Sequence, residues 1–99
     1  MNRDMHVPEV GDTRVGVRLR EAEFDLITRI LGCESDAARA RLLDINPKTV
    51  TRVRRGVIGE EFIAKTLIML RNNAEALAKV NIGTSFEDVF EVGEKQVAA

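Results

Sequence analysis

The stretch from Ser35 to Gly56 constrains this chain more than any other, because two helix starts, a turn and a helix stop fall within it. Ser35 or Asp36 can open the first helix, since either side chain accepts a hydrogen bond from the unpaired amides of an opening turn. The second start lies at Asn46-Pro47. Asn46 is a good N-cap, and Pro47 has its φ already near the helical value and lacks only an N–H that would find no partner there. Gly56 supplies the stop, because it adopts the left-handed conformation with which helices commonly close. Two short helices joined by a sharp turn, a helix-turn-helix, are therefore predicted over 35–56, with the second helix over 46–56.

Within this stretch Ala40, Leu43, Ile45, Val50 and Val53 fall where two steeply crossing helices share a small core, with Ala40 at the closest approach. This spacing, and the run Thr49-Val50-Thr51-Arg52-Val53 followed by a basic pair and Gly56, resembles the helix-turn-helix of the phage-repressor-like (lambda-repressor-like, XRE-type) DNA-binding domains. Two positions depart from that pattern: Asp44 stands where the turn usually carries Gly, and Arg39 where an apolar residue is more usual. The resemblance covers roughly residues 21 to 90 and is strongest in the motif. It implies a mostly α fold of about five helices, and a transcriptional regulator, read as a repressor, that binds a palindromic operator in double-stranded DNA as a homodimer.

The charge distribution fits a polyanion partner better than the charge total does. Fifteen basic and sixteen acidic residues give a net charge of −1, whereas nonspecific nucleic-acid binders are usually basic overall. Between Asp36 and Gly56, however, six basic residues (Arg39, Arg41, Lys48, Arg52, Arg54, Arg55) face two acids, a local +4. The remainder carries nine basic and fourteen acidic residues, or −5, so attraction to phosphate would be directed through one face. The lone Cys33 excludes an internal disulfide and a cysteine-built zinc site. There is neither a membrane-length apolar run nor an apolar leader near the start, so a cytoplasmic protein is expected.

Residues 1–12 show no periodicity and are broken by Pro8 and Gly11, which predicts a flexible arm containing an unpartnered His6. A single domain is expected over 13–92. Arg14 to Arg20 alternates apolar Val15, Val17 and Leu19 with polar residues, the pattern of a half-buried strand, and Val89 to Val92 is its expected partner. The resulting two-stranded element would join the N- and C-terminal regions, within one chain or exchanged across a dimer. Glu21 to Leu31 reads as a helix with Phe24, Ile27, Ile30 and Leu31 on its apolar stripe. A later helix opens at Glu60-Glu61 with Phe62, Ile63, Leu67 and Leu70 on its apolar side. Asn72-Asn73 separates it from a further helix over Ala74 to Val80, and Thr84 or Ser85 caps a last helical turn. Residues 93–99 are predicted to form a loose tail.

No catalytic constellation, cofactor site or metal site is expected, since His6 and Cys33 stand without partners and no Gly-rich phosphate loop occurs. The carboxylate pairs Glu60-Glu61 and Glu87-Asp88 lie at helix starts, where negative charge is favoured for structural reasons. With Val50 and Val53 facing the core, Lys48, Thr49, Thr51, Arg52 and Arg55 turn to solvent. Lys48, Thr49, Thr51 and Arg52 are the expected base-reading residues, and Asn46, Arg54 and Arg55 the expected phosphate contacts. Arg54 and Arg55 would be favoured by the negative end of the helix in any case, but Lys48 and Arg52 sit in its first half, where the dipole disfavours cations. The alternative reading is a protein-interaction module, such as an antitoxin or regulatory subunit, that uses the helical surface to bind a protein partner.

Overall fold

The computed structural model describes residues 13–96; the expected N-terminal arm, 1–12, and the last three residues of the expected tail lie outside them. Element order is β1 (Thr13–Leu19), α1 (Glu21–Ile30), α2 (Asp36–Leu43), α3 (Pro47–Arg54), α4 (Glu60–Asn72), α5 (Ala74–Lys79), α6 (Phe86–Val89) and β2 (Phe90–Gln96). The fold is mostly helical, with one small antiparallel sheet in which β1 pairs with β2 of the same chain.

The helices begin and end where local chemistry directs. The Ser35 hydroxyl accepts the Ala38 amide and the Asn46 carboxamide oxygen accepts the Lys48 amide, so both motif helices carry side-chain N-caps. Asp44 adopts φ 61, ψ 53, the left-handed conformation for which Asp is among the more tolerant residues. This directs the Ile45 amide to Ala40 O and the Asp44 amide to Arg41 O, which closes α2 in a Schellman arrangement. Gly56, at φ 101, closes α3 the same way, with the Val57 amide donating to Arg52 O. Lys65 on α4 then donates to the Asp44 carbonyl at 3.0 Å and approaches its carboxylate at 3.2 Å, tying the turn to the helix beneath it.

The core is one cluster built from Phe24 and Ile27 of α1, Leu43 of α2, Val53 of α3, Phe62, Met69 and Leu70 of α4, Leu77, Val89 and Phe90. Phe62 is its centre. Its ring lies 5.7 Å from that of Phe24 and 6.2 Å, edge-on, from that of Phe90, so it joins α1, α4 and β2. Thr66, one turn along α4, is also fully buried, and its hydroxyl has no hydrogen-bond partner among the described residues.

Several expectations need correction. Strand β2 begins at Phe90, because Val89 still belongs to α6, and it runs on to Gln96, so residues 93–96 are strand and not tail. Pairing overrides their weak strand propensity: the register that joins Leu19 to Phe90 also joins Gly16 to Gly93 and Thr13 to Gln96. The ribbon consequently outruns the core. Val17 and Leu19 pack against it, but Val15 is 76% and Val92 65% exposed. Ile30 is also exposed, since α1 ends there and only Phe24, Ile27 and Leu31 of its stripe reach the interior. Six helices occur among the described residues, the sixth being the short turn capped by Ser85 and Asp88. A Cβ at Gly83 would stand 2.5 Å from an Asp88 carboxylate oxygen, so a larger residue there would have to displace the Asp88 side chain that makes the cap.

Candidate nucleic-acid interface

The outer surface of the second motif helix follows from its apolar residues. Val50 and Val53 are buried against the core, and α3 packs on α2, which in turn packs on α4. At 3.6 residues per turn this directs Thr51, Arg55, Lys48 and Arg52, in that angular order, onto the opposite side within an arc of about 100°. All four are exposed. Among the described residues, Lys48, Arg52 and Arg55 enter no ion pair, and the Thr51 hydroxyl makes only a long, 3.5 Å contact with Pro47 O in its own helix. Three cations and a hydroxyl thus share one unshielded face on the helix that follows the tight turn.

The remaining residues expected at this surface occupy other places. Thr49 is half-buried on one flank of the valine stripe, where only its edge is accessible. Asn46 is exposed, but its carboxamide oxygen is engaged with the Lys48 amide at 2.8 Å, which leaves its amide nitrogen for any further contact. Arg54 does not join the surface. It lies on the other flank, where its guanidinium meets Asp36 twice at 2.8 Å, Asp25 at 2.6 Å and Glu21 at 2.8 Å. With its donors directed to three carboxylates, Arg54 is not available as a phosphate contact, and that expectation is withdrawn.

Sequence reasoning missed the cluster that engages Arg54. Its second cation is Arg39, 8% exposed, which donates to the Thr28 hydroxyl at 2.7 Å and to Asp36 at 3.0 Å and lies 3.6 Å from Asp25. Thr28 is itself fully buried and donates to Phe24 O, so Arg39 fills its apolar-type position with its Nε and Nη1 both engaged. The hydrogen bonds from Arg54, aided by Arg39 and opposed by partial burial, hold the Asp36 carboxyl below its usual value. Asp36 above all, then Asp25 and Glu21, raise the Arg54 guanidinium above its own ordinary range, so both partners stay charged. The available sequence signals were Glu21 and Asp25 at i,i+4 and Asp36 and Arg39 at i,i+3, each of which places two charges on one helix face.

Beyond this surface, no cluster of side chains able to hold a metal ion occurs among the described residues. No helix there is long and apolar enough to cross a membrane. No protein-family model matches the chain, no curated protein is found to be similar to it, and no solved structure matches it.

Proposed function

We propose that this protein binds double-stranded DNA sequence-specifically, with α3 in the major groove, and acts as a transcriptional regulator, read as a repressor. The observation that carries the proposal is the outer face of α3, where Lys48, Arg52 and Arg55 stand exposed and free of carboxylate partners among the described residues. The helix dipole favours two of these cations, since Arg52 lies in the last turn of α3 and not in its first half as expected, and Arg55 is its C-cap; Lys48, at the positive end, has no such reason to be there. Lys48 and Arg52 donate to the O6 and N7 acceptors of guanine, and Thr51 meets a thymine methyl or an amino group. Thr49 contributes from the edge of the same surface. Arg55, at the helix end, holds phosphate, as does the amide group of Asn46 beside the helix start.

A homodimer on a palindromic operator is the assembly this reading implies, with two copies of α3 entering successive major grooves about 34 Å apart. Selection of bound duplexes from a random oligonucleotide pool tests the proposal. Enrichment of an inverted repeat with half-sites one helical turn apart is expected. Recovery of no common sequence rejects it.

The alternative of a protein-interaction module is expected to use the helical surface; the observation that favours such a module lies elsewhere, in Val15 and Val92, which stand exposed on one face of the ribbon. Under that reading Val15→Ser and Val92→Ser abolish association with a protein partner, whereas loss of the α3 cations leaves it intact.

A further inference from the structure

Arg54 differs from its neighbours on α3 in having its charge directed inward, and its contacts define a task. Its Nε and Nη2 meet the two oxygens of Asp36 on α2, Nη2 and Nη1 meet Asp25 on α1 at 2.6 and 3.4 Å, and Nη1 meets Glu21, also on α1. One guanidinium therefore bridges the end of α3 to both preceding helices. Arg39 braces the acceptors from behind, holding Asp36 and Asp25 while its own Nε is fixed by Thr28.

We infer that Arg54, backed by Arg39, is the positioning residue of the reading helix, whose ion pairs to Asp36, Asp25 and Glu21 fix the roll of α3 and so decide which base edges Lys48, Thr51 and Arg52 meet. The inference rests on the DNA-binding reading of α3. Helix α3 has eight residues, too few to be stable in isolation, and its packing into the core relies on Val50 and Val53. Val50 and Val53, with Ile45 and Ile58 packed against the core just beyond the two ends of the helix, resist its withdrawal more than its rotation, because apolar contact is non-directional. A side-chain tip lies about 6 Å from a helix axis, so a roll of roughly 20° carries it about 2 Å, well beyond what a hydrogen bond to a base edge tolerates. A planar fork pinned by carboxylates on two other helices supplies the missing directional restraint.

The test uses the full chain with Arg54→Met and, since that variant loses several contacts at once, Arg54→Lys, which keeps the charge without the fork. Two quantities are read on folded protein: the affinity ratio between the pool-selected duplex and a random duplex across a salt series, and amide hydrogen exchange of α3 in the absence of DNA. Arg54→Met is expected to lower the ratio about tenfold, the loss of roughly one base contact, with the salt slope unchanged and with faster exchange in α3 than in α4. Arg54→Lys should fall between it and the wild type. A salt slope smaller by about 0.9, with equal loss on both duplexes, would make Arg54 a phosphate contact and overturn the inference. So would an unchanged ratio with unchanged α3 exchange in both variants. If the wild-type chain enriches no duplex, the DNA reading itself fails and takes this role with it, whereas discrimination that persists in the variants refutes the positioning role alone.

Discussion

Arg52 and Arg55 sit three residues apart on one exposed face, yet the interface assigns them different duties, and replacing each by alanine should separate the two. Neither side chain makes an ion pair among the described residues and neither is buried, so the variants should unfold within about 0.5 kcal/mol of the wild type. Arg52 projects from the last turn of α3 on the face it shares with Lys48 and Thr51, and a bidentate contact to guanine is worth about 1 to 3 kcal/mol. Arg52→Ala should therefore weaken the selected duplex roughly 5- to 150-fold and a random duplex far less. Arg55 caps the helix end, and loss of one phosphate contact lowers the salt slope by about 0.9 on every duplex. Between about 50 and 200 mM salt, a fourfold span, the gap between wild type and Arg55→Ala should shrink about 3.5-fold. Fluorescence anisotropy with labelled selected and random duplexes across that range reads both effects. Equal losses for Arg52→Ala on the two duplexes, with a reduced slope, would show a phosphate contact and refute its assignment to bases.

Other consequences concern the frame that holds this face. Phe62→Ala removes the ring joining Phe24 to Phe90 and should cost about 3 to 5 kcal/mol in a urea titration; a loss below about 1 kcal/mol would mean the ring is not enclosed. Thr66→Val replaces a buried hydroxyl without a partner among the described residues by a methyl of the same shape and should raise stability by about 1 kcal/mol, whereas a fall in the urea midpoint would reveal a partner for that hydroxyl. Acid should loosen the cluster around Arg54. The folded-state pKa of Asp36 lies below the usual 3.8, so its contribution to stability is complete above that value and disappears as pH falls below 3.8 through the folded pKa. Asp88, lowered by its hydrogen bonds from the Ser85 hydroxyl and amide, adds a contribution of the same sign. The urea midpoint should hold steady above about pH 5 and drop below pH 4, with a shallower drop in Asp36→Asn; an equal drop in that variant would remove Asp36 as the cause.

The motif was legible because its signals are local. Ser35, Asn46, Pro47 and Gly56 each act on amides and carbonyls within a few residues, and the structure uses Ser35, Asn46 and Gly56 as their chemistry suggests. Asp44 was legible for the same reason, as a residue that accepts positive φ where the chain must turn. The ion cluster was not, because it joins Arg54 to Asp36 and Asp25 across 18 and 29 positions, and no local pattern distinguishes an arginine that folds inward from one that faces solvent. Helix phase alone came close. Arg54 falls on the edge of the valine stripe and Arg52 on the opposite side, so the two could be separated once Val50 and Val53 were fixed. The length of β2 was hidden for a related reason, since Gly93, Glu94 and Lys95 have little preference for a strand and are held in one by β1.

Amide chemical-shift mapping of the labelled chain, titrated with the pool-selected duplex, shows whether the outer face of α3 meets DNA. The largest shifts are expected on Lys48 to Arg55 and on the Asn46 amide at the helix start, with β1, β2 and α5 little changed. Shifts concentrated on the ribbon around Val15 and Val92, or none at saturating duplex, would contradict a DNA contact by α3.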